Sequence, residues 1–321
     1  MSLTTRSHLN GYLLILGGAI LFSTKAIMVK LAFRNTHVDA ISLLALRMMF
    51  SLPFFLVTGW LAARKHSSQA PLTRLQWMYI IGLGLLGYYL SSLLDFLGLQ
   101  YITAGMERLI LFLYPTFTVI INALLFREAF TKRQIIALVL SYIGIIFAFY
   151  NEIKLDVNKS DFLLGSGLIF LCSITYAGYL VGTGRLVKQI HVMRYTSIAM
   201  LSATVGVMIH YFISGQYGLK DLHSNMISYG LLLAIVATVI PNFMVAAGIQ
   251  TIGSNNAAIV SAIGPVSTII LAYFFLGERF DHFQMIGTLF VIAGVLMIGW
   301  KGNANDFLRK IGLGKLFNLS N

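Results

Sequence analysis

Five ionisable side chains stand inside otherwise apolar stretches of the first half of this sequence: Lys25, Arg47, Asp95, Glu107 and Arg108. A charge at the centre of a hydrocarbon layer costs about 2.5–3.5 kcal/mol or more, so each is either neutralised by a partner or kept for a function. Two chemistries fit the set. In the first, Arg47 or Arg108 pairs with Asp95 or Glu107 and the pair locks helices together. In the second, Lys25 and Arg47 hold a carboxylate or another anionic group of a solute, while Asp95 or Glu107 binds an ammonium or carries a coupling proton. The five sum to +1, which favours a zwitterionic or anionic solute over a large cation. Glu107 and Arg108 are adjacent, so on a helix they point about 100° apart and cannot both face one neighbour.

Polar groups deep in other apolar runs extend the candidate site. Asn122 and Asn242 are placed to contact a solute, and Tyr89 and Tyr179 to shape a cavity, with Tyr88, Ser92, Tyr176, Asn255 and Asn256 as further lining. Other chemistries find no residues. The single cysteine, Cys172, excludes an internal disulfide and a cysteine metal site, and no histidine cluster offers a metal a set of ligands. No Gly-x-x-x-x-Gly-Lys-Ser/Thr loop and no His-Glu-x-x-His occurs, which argues against a nucleotide-driven pump and a zinc enzyme. Neither a metal nor a cofactor is expected.

The elements that must position these residues are written in the composition. Of 321 residues 58% are hydrophobic and 11% charged, against roughly a quarter charged in a soluble domain. Too few charges remain to cover a wetted surface, and a lipid environment is the one that tolerates such a chain. Its apolar runs are about twenty residues long, the length of a membrane-crossing helix and not of a barrel strand. Ten spans are expected, near 11–33, 40–63, 75–98, 104–126, 132–150, 161–182, 194–214, 226–249, 255–276 and 282–300. The first is long enough to span and is followed by no cleavage-site pattern, so it reads as a span and not as a signal peptide.

Lysines and arginines orient the spans. With the N-terminus inside, fourteen of those outside the apolar runs fall on the inner side and six on the outer (Lys30, Arg34, Lys154, Lys159, Lys220, Arg279). Both termini are therefore expected in the cytoplasm. The net charge of +12 is accounted for by loops and by a basic tail, residues 301–321, that suits anionic lipid, and nucleic acid is not implied. In this orientation all five intramembrane charges occupy the outer half of the bilayer.

The chain also repeats itself. At an offset of 150, residues 97–150 align with 247–300 without a gap, with eleven identities in 54 positions, among them Pro115/Pro265, Glu128/Glu278 and Gln134/Gln284. A shorter patch aligns 11–25 with 165–179. Two units follow, 1–150 and 151–300, of five spans each. An odd number of spans forces consecutive copies to enter the membrane in opposite senses, so the expected fold is all-α, ten transmembrane helices as two inverted five-helix repeats. Pro115 and Pro265, at equivalent depth, are expected to bend spans four and nine around a shared cavity. The charges break the symmetry: Lys25, Asp95, Glu107 and Arg108 face Tyr179, Val245, Ala257 and Ala258 in the second copy.

The stretch Ala104-Gly105-Met106-Glu107-Arg108-Leu109-Ile110-Leu111-Phe112-Leu113-Tyr114-Pro115, then Arg127-Glu128-Ala129-Phe130, then Gly264-Pro265 and Leu276-Gly277-Glu278-Arg279-Phe280, resembles the EamA family of the drug/metabolite transporter superfamily. Gly17 to Lys30 and Leu46-Arg47 are similar to that family's first two spans, and the resemblance covers essentially the whole chain. One departure is Arg127, where the family's first repeat usually has glycine. The resemblance implies a secondary transporter of the bacterial inner membrane, exporting amino acids or similar metabolites by alternating access. Its partners would be a small solute, membrane lipid and a coupling proton. A carrier or flippase for lipid-linked sugars is the alternative, and an intramembrane enzyme a remoter one. Glu128 and Glu278, at span ends, read as groups that fix helix ends and loops.

Overall fold

The computed structural model describes residues 3–65, 71–126, 159–186, 190–214, 223–245, 263–279 and 281–299, with scattered single positions in 132–147 and 247–251. Most of the fifth span, the start of the ninth, Asn255, Asn256, Arg127, Glu128 and the tail 301–321 lie outside the described residues.

Those residues build helices and no strand: α1 (Leu3–Thr36), α2 (Ala40–Lys65), α3 (Arg74–Gly84), α4 (Ser91–Gly98), α5 (Ala104–Leu111), α6 (Tyr114–Phe126), α7 (Lys159–Leu186), α8 (Val192–Ser214), α9 (Ser224–Ala234), α10 (Ile263–Leu276) and α11 (His282–Gly299). Several starts are set by local chemistry. Asp39 Oδ1 accepts from the N–H groups of Ile41 and Ser42, at 2.9 and 3.0 Å, and opens α2. Thr73 and Gln76 exchange side-chain and backbone bonds as a capping box at α3.

Seven stretches among the described residues are long and apolar enough to cross a membrane: Asn10–Thr36, Ala40–Ala62, Arg74–Gly98, Ala104–Leu125, Lys159–Thr183, Met193–Ser214 and Ser224–Val245. They fall on the expected spans one to four and six to eight. Two shorter apolar helices, Ile263–Leu276 and His282–Gly294, stand where spans nine and ten are expected. Large apolar side chains such as Leu124, Phe212, Ile213 and Phe274 point outward, as a hydrocarbon solvent allows.

The halves pack across each other: α1 lies along α9 and α10, α2 along α8 and α9, and α4 and α6 along α7. Buried Ala26, Leu43, Met48, Phe96, Met200 and Leu233 form the centre of the packing. Between α3 and α4 the helix widens into a π-helical stretch, Leu85–Leu90, and after α9 a second one covers Ile235–Val239. The offset of 150 carries the first onto the second.

Span four is interrupted in the turn just before Pro115, where a proline is expected to bend it. The chain turns at Phe112 and Leu113, with the Leu113 N–H bonded to the Ile110 carbonyl at 3.1 Å, and α6 restarts at Tyr114. Pro115 thus occupies the first turn of a new helix, where its missing N–H costs no bond and its fixed φ suits the helix. Pro265 lies within the described part of α10. Pro53, by contrast, lies inside the continuous α2.

Candidate functional site

Where spans one to four meet α7 and the stretch after α9, a cavity of about 280 Å³ lies between the two halves. Its polar lining includes Lys25, Arg47, Asp95 and Arg108 from the first half and Thr238 and Asn242 from the second. Four of the five intramembrane charges therefore face one space. The fifth, Glu107, is fully buried behind Lys25.

The pairing among them differs from the expected one. Lys25, and not an arginine, holds the carboxylates: its Nζ lies 2.6 Å from Asp95 Oδ2 and 3.8 Å from Glu107 Oε1. α1 supplies the lysine, α4 the aspartate and α5 the glutamate, so the contact ties three spans of one half together. Beyond Lys25, neither carboxylate receives a hydrogen bond from a donor among the described residues. Two carboxylates against one ammonium leave this group one negative charge in excess if all three are ionised.

The arginines are left with spare donors. Arg47 donates from Nη2 to Ser92 Oγ at 2.9 Å, and its guanidinium lies over the Phe96 ring, 5.0 Å from the centroid. Its Nε is buried and has no hydrogen-bond partner. Arg108 reaches toward Ser23 Oγ at 3.5 Å, the edge of hydrogen-bond range, and its Nε is also buried and unpartnered. Arg108 crosses to the second half at Gly264, where an added Cβ would stand 2.9 Å from Nη2. Ser23 Oγ in turn donates to the Gly264 carbonyl at 3.0 Å. Leaving a buried donor unmade costs about 1–3 kcal/mol, and more when it is charged. Both arginines line one cavity, so an acceptor that enters it meets two guanidinium groups with donors to spare.

An aromatic wall closes one side. Tyr179 donates to the Tyr88 hydroxyl at 3.0 Å, the Tyr114 ring meets Tyr176 edge-on at 5.1 Å, and the Tyr176 and Tyr179 rings are 5.9 Å apart. Tyr179 itself fits against Gly87 in the first π-helical stretch, in the space a side chain there would need. It supports Tyr88 and Tyr176, which face the cavity, from behind. On the opposite side Asn242 lines the cavity while its Nδ2 donates to the Thr238 carbonyl at 2.7 Å.

Two expected members face elsewhere. Tyr89 is on the far side of its helix and shares a 2.9 Å hydrogen bond with His210 Nδ1. Asn122, half-buried on α6, is not among the residues that line the cavity. Conversely, Ser23, Tyr114, Thr238 and Cys172 take part without having been singled out for it. Cys172 Sγ lies 3.2 Å from Ser91 Oγ at the cavity wall. Glu278, just past α10, fixes a helix end: its carboxylate accepts from the Ala104 and Gly105 N–H groups, at 3.0 and 3.3 Å, and so caps α5 of the other half.

Comparison with known proteins places this architecture. Residues 9–150 and 163–300 each match the EamA-like transporter family. A Bacillus subtilis protein called "Uncharacterized transporter YcbK" is 32% identical over 298 residues, covering 89% of this chain and 92% of that one. An uncharacterized transporter of Synechocystis sp. is 24% identical, covering 94% and 96%. A solved crystal structure superposes with a TM-score of 0.61 over 89% of this chain and 95% of its own, at 16% identity, a likeness of fold.

Proposed function

This chain belongs to the EamA-like transporter family, and we propose that it is a secondary carrier of small carboxylate-bearing metabolites, amino acids or close analogues, which it exports by alternating access. One observation carries the reading: Lys25 is occupied by Asp95 and Glu107, while Arg47 and Arg108 keep buried, unpartnered Nε groups beside one cavity. Guanidinium groups match the two oxygens of a carboxylate better than any other side chain. The solute's carboxylate sits against the arginines, its body against Tyr88, Tyr114 and Tyr176, and its amino group toward Asp95 or Asn242.

The two halves are inverted repeats of five spans, and the solute moves when they rock about this cavity. The interface is built for such motion: Arg108 touches Gly264, and Ser23 bonds its carbonyl, across the boundary between halves. A proton supplies the coupling. Asp95 and Glu107, which share Lys25, are the groups that would carry it. The chain lies in the bacterial inner membrane with both termini in the cytoplasm.

The test is a comparison of extracellular metabolites between deletion and overexpression strains, repeated with Arg47→Ala and Arg108→Ala. Carboxylate-bearing solutes should accumulate outside on overexpression and fall to the deletion level in both variants. No change in any carboxylate, together with altered lipid-linked sugars, would replace the reading by a lipid-linked sugar carrier.

A further inference from the structure

A second cavity, of about 520 Å³, opens at the end of the molecule that the lysine and arginine distribution assigns to the outside. Its polar lining is Lys30 and Arg34 at the end of α1, His37 just beyond it, Gln100, and Glu278 of the second half. Basic residues are scarce on this side of the sequence, six against fourteen, and two of the six line this one space. An orientation signal needs only that they be in the loops; it does not gather them around a cavity.

The position along α1 is informative. Lys30 and Arg34 are four residues apart and share a helix face. At 1.5 Å per residue they stand about 7.5 and 13.5 Å further along the axis than Lys25. Cationic groups thus descend from the rim toward the central site. The floor already holds a carboxylate, that of Glu278, seated on the N–H groups of Ala104 and Gly105. Gly277 at φ +71° turns the chain there, and the Glu278 N–H returns to the Ala272 carbonyl at 3.3 Å. Below the floor the same helix, α5, carries Glu107 and Arg108 to the central site.

We propose that this vestibule is a second anion site, a station where the solute's carboxylate rests on Lys30 and Arg34 between the central cavity and the outside. Glu278 holds its floor. The identity of the solute rests on the reading above; the preference for an anion does not.

The experiment therefore uses no transported solute. In the full chain purified in a neutral detergent, Cys172→Ser removes the single native thiol and Gln100→Cys puts one in the vestibule. Two methanethiosulfonate reagents of similar size, one carrying a sulfonate and one a trimethylammonium, are compared, each rate divided by its rate with 2-mercaptoethanol. At low ionic strength the anionic reagent should be favoured about tenfold, in the range expected for a focused surface potential. Lys30→Gln with Arg34→Gln should bring the ratio near one, as should 1 M salt. Acetate should slow the anionic reagent in the parent and not in the double variant. Phe33→Cys, in the same cavity, gives the same readout if Gln100→Cys does not fold. A ratio near one in the parent, or one that Lys30→Gln and Arg34→Gln leave unchanged, overturns the proposal. Anion preference with export confined to neutral solutes would overturn the functional reading and leave the vestibule standing.

Discussion

The third and fourth spans of the first half and their counterparts in the second share backbone devices and differ in charge. A π-helical stretch falls at Leu85–Leu90 and again at Ile235–Val239, and a proline stands in the helix that follows in each half, Pro115 in α6 and Pro265 in α10. Yet Asp95, Glu107 and Arg108 have Val245, Ala257 and Ala258 at the equivalent positions. The π-helical backbone recurs at an offset of 150, and the charge that lines the cavity stands in the first half. A wide turn is bought with one extra residue per turn and serves whichever side chains surround it. A buried charge needs a partner at a fixed place, so Lys25, Asp95 and Glu107 are held together or not kept at all.

Lys25→Met is the largest expected blow to this asymmetry. It strands Asp95 and Glu107 in the interior, and removing one partner of a buried ionic group costs about 3–5 kcal/mol. Thermal unfolding in detergent should show that loss, and adding Asp95→Asn with Glu107→Gln should restore most of the stability. A variant as stable as the parent would mean that the charges of the first half are not a unit. Next come Arg47→Ala and Arg108→Ala. Truncating one partner of a desolvated charge pair costs about 2–5 kcal/mol, so transport should fall roughly 30-fold or more while expression and melting change little. Glu278→Gln comes third. It takes a charge from the N-terminus of α5, and about 1 kcal/mol of stability should go with it. Asn122→Ala and Tyr89→Phe, away from the cavity, should leave the solute KM unchanged. A shift in KM there would extend the site beyond its present walls.

The sequence was informative about class and incomplete about contacts, for a physical reason. Hydropathy placed spans one to four and six to eight because length and apolarity are properties of the chain itself. The convergence of Lys25, Arg47, Asp95 and Arg108 on one cavity was legible too, since burying a charge in hydrocarbon is costly wherever it happens. Which cation would meet which carboxylate was not. Three basic groups and two acids admit several pairings, and the choice depends on how α1, α4 and α5 rotate about their axes. For the same reason Tyr89 was assigned to the cavity although its hydroxyl meets His210. Pro115 marked the bend in the right span: the turn at Phe112 and Leu113 lies just N-terminal to it, where a proline removes the bond to the carbonyl four residues back. Glu278 was read as a helix-end group. That it caps a helix of the other half needed the two repeats side by side.

The central claim is that Arg47 and Arg108, freed because Lys25 is engaged, hold the carboxylate of the solute. It is tested most directly in proteoliposomes, by comparing uptake of whichever exported acid the strain comparison identifies with uptake of its carboxamide. The wild-type protein should carry the acid and reject the amide, and Arg47→Ala and Arg108→Ala should lose the acid without gaining the amide. Equal transport of acid and amide, or wild-type transport of the acid by both arginine variants, would contradict it.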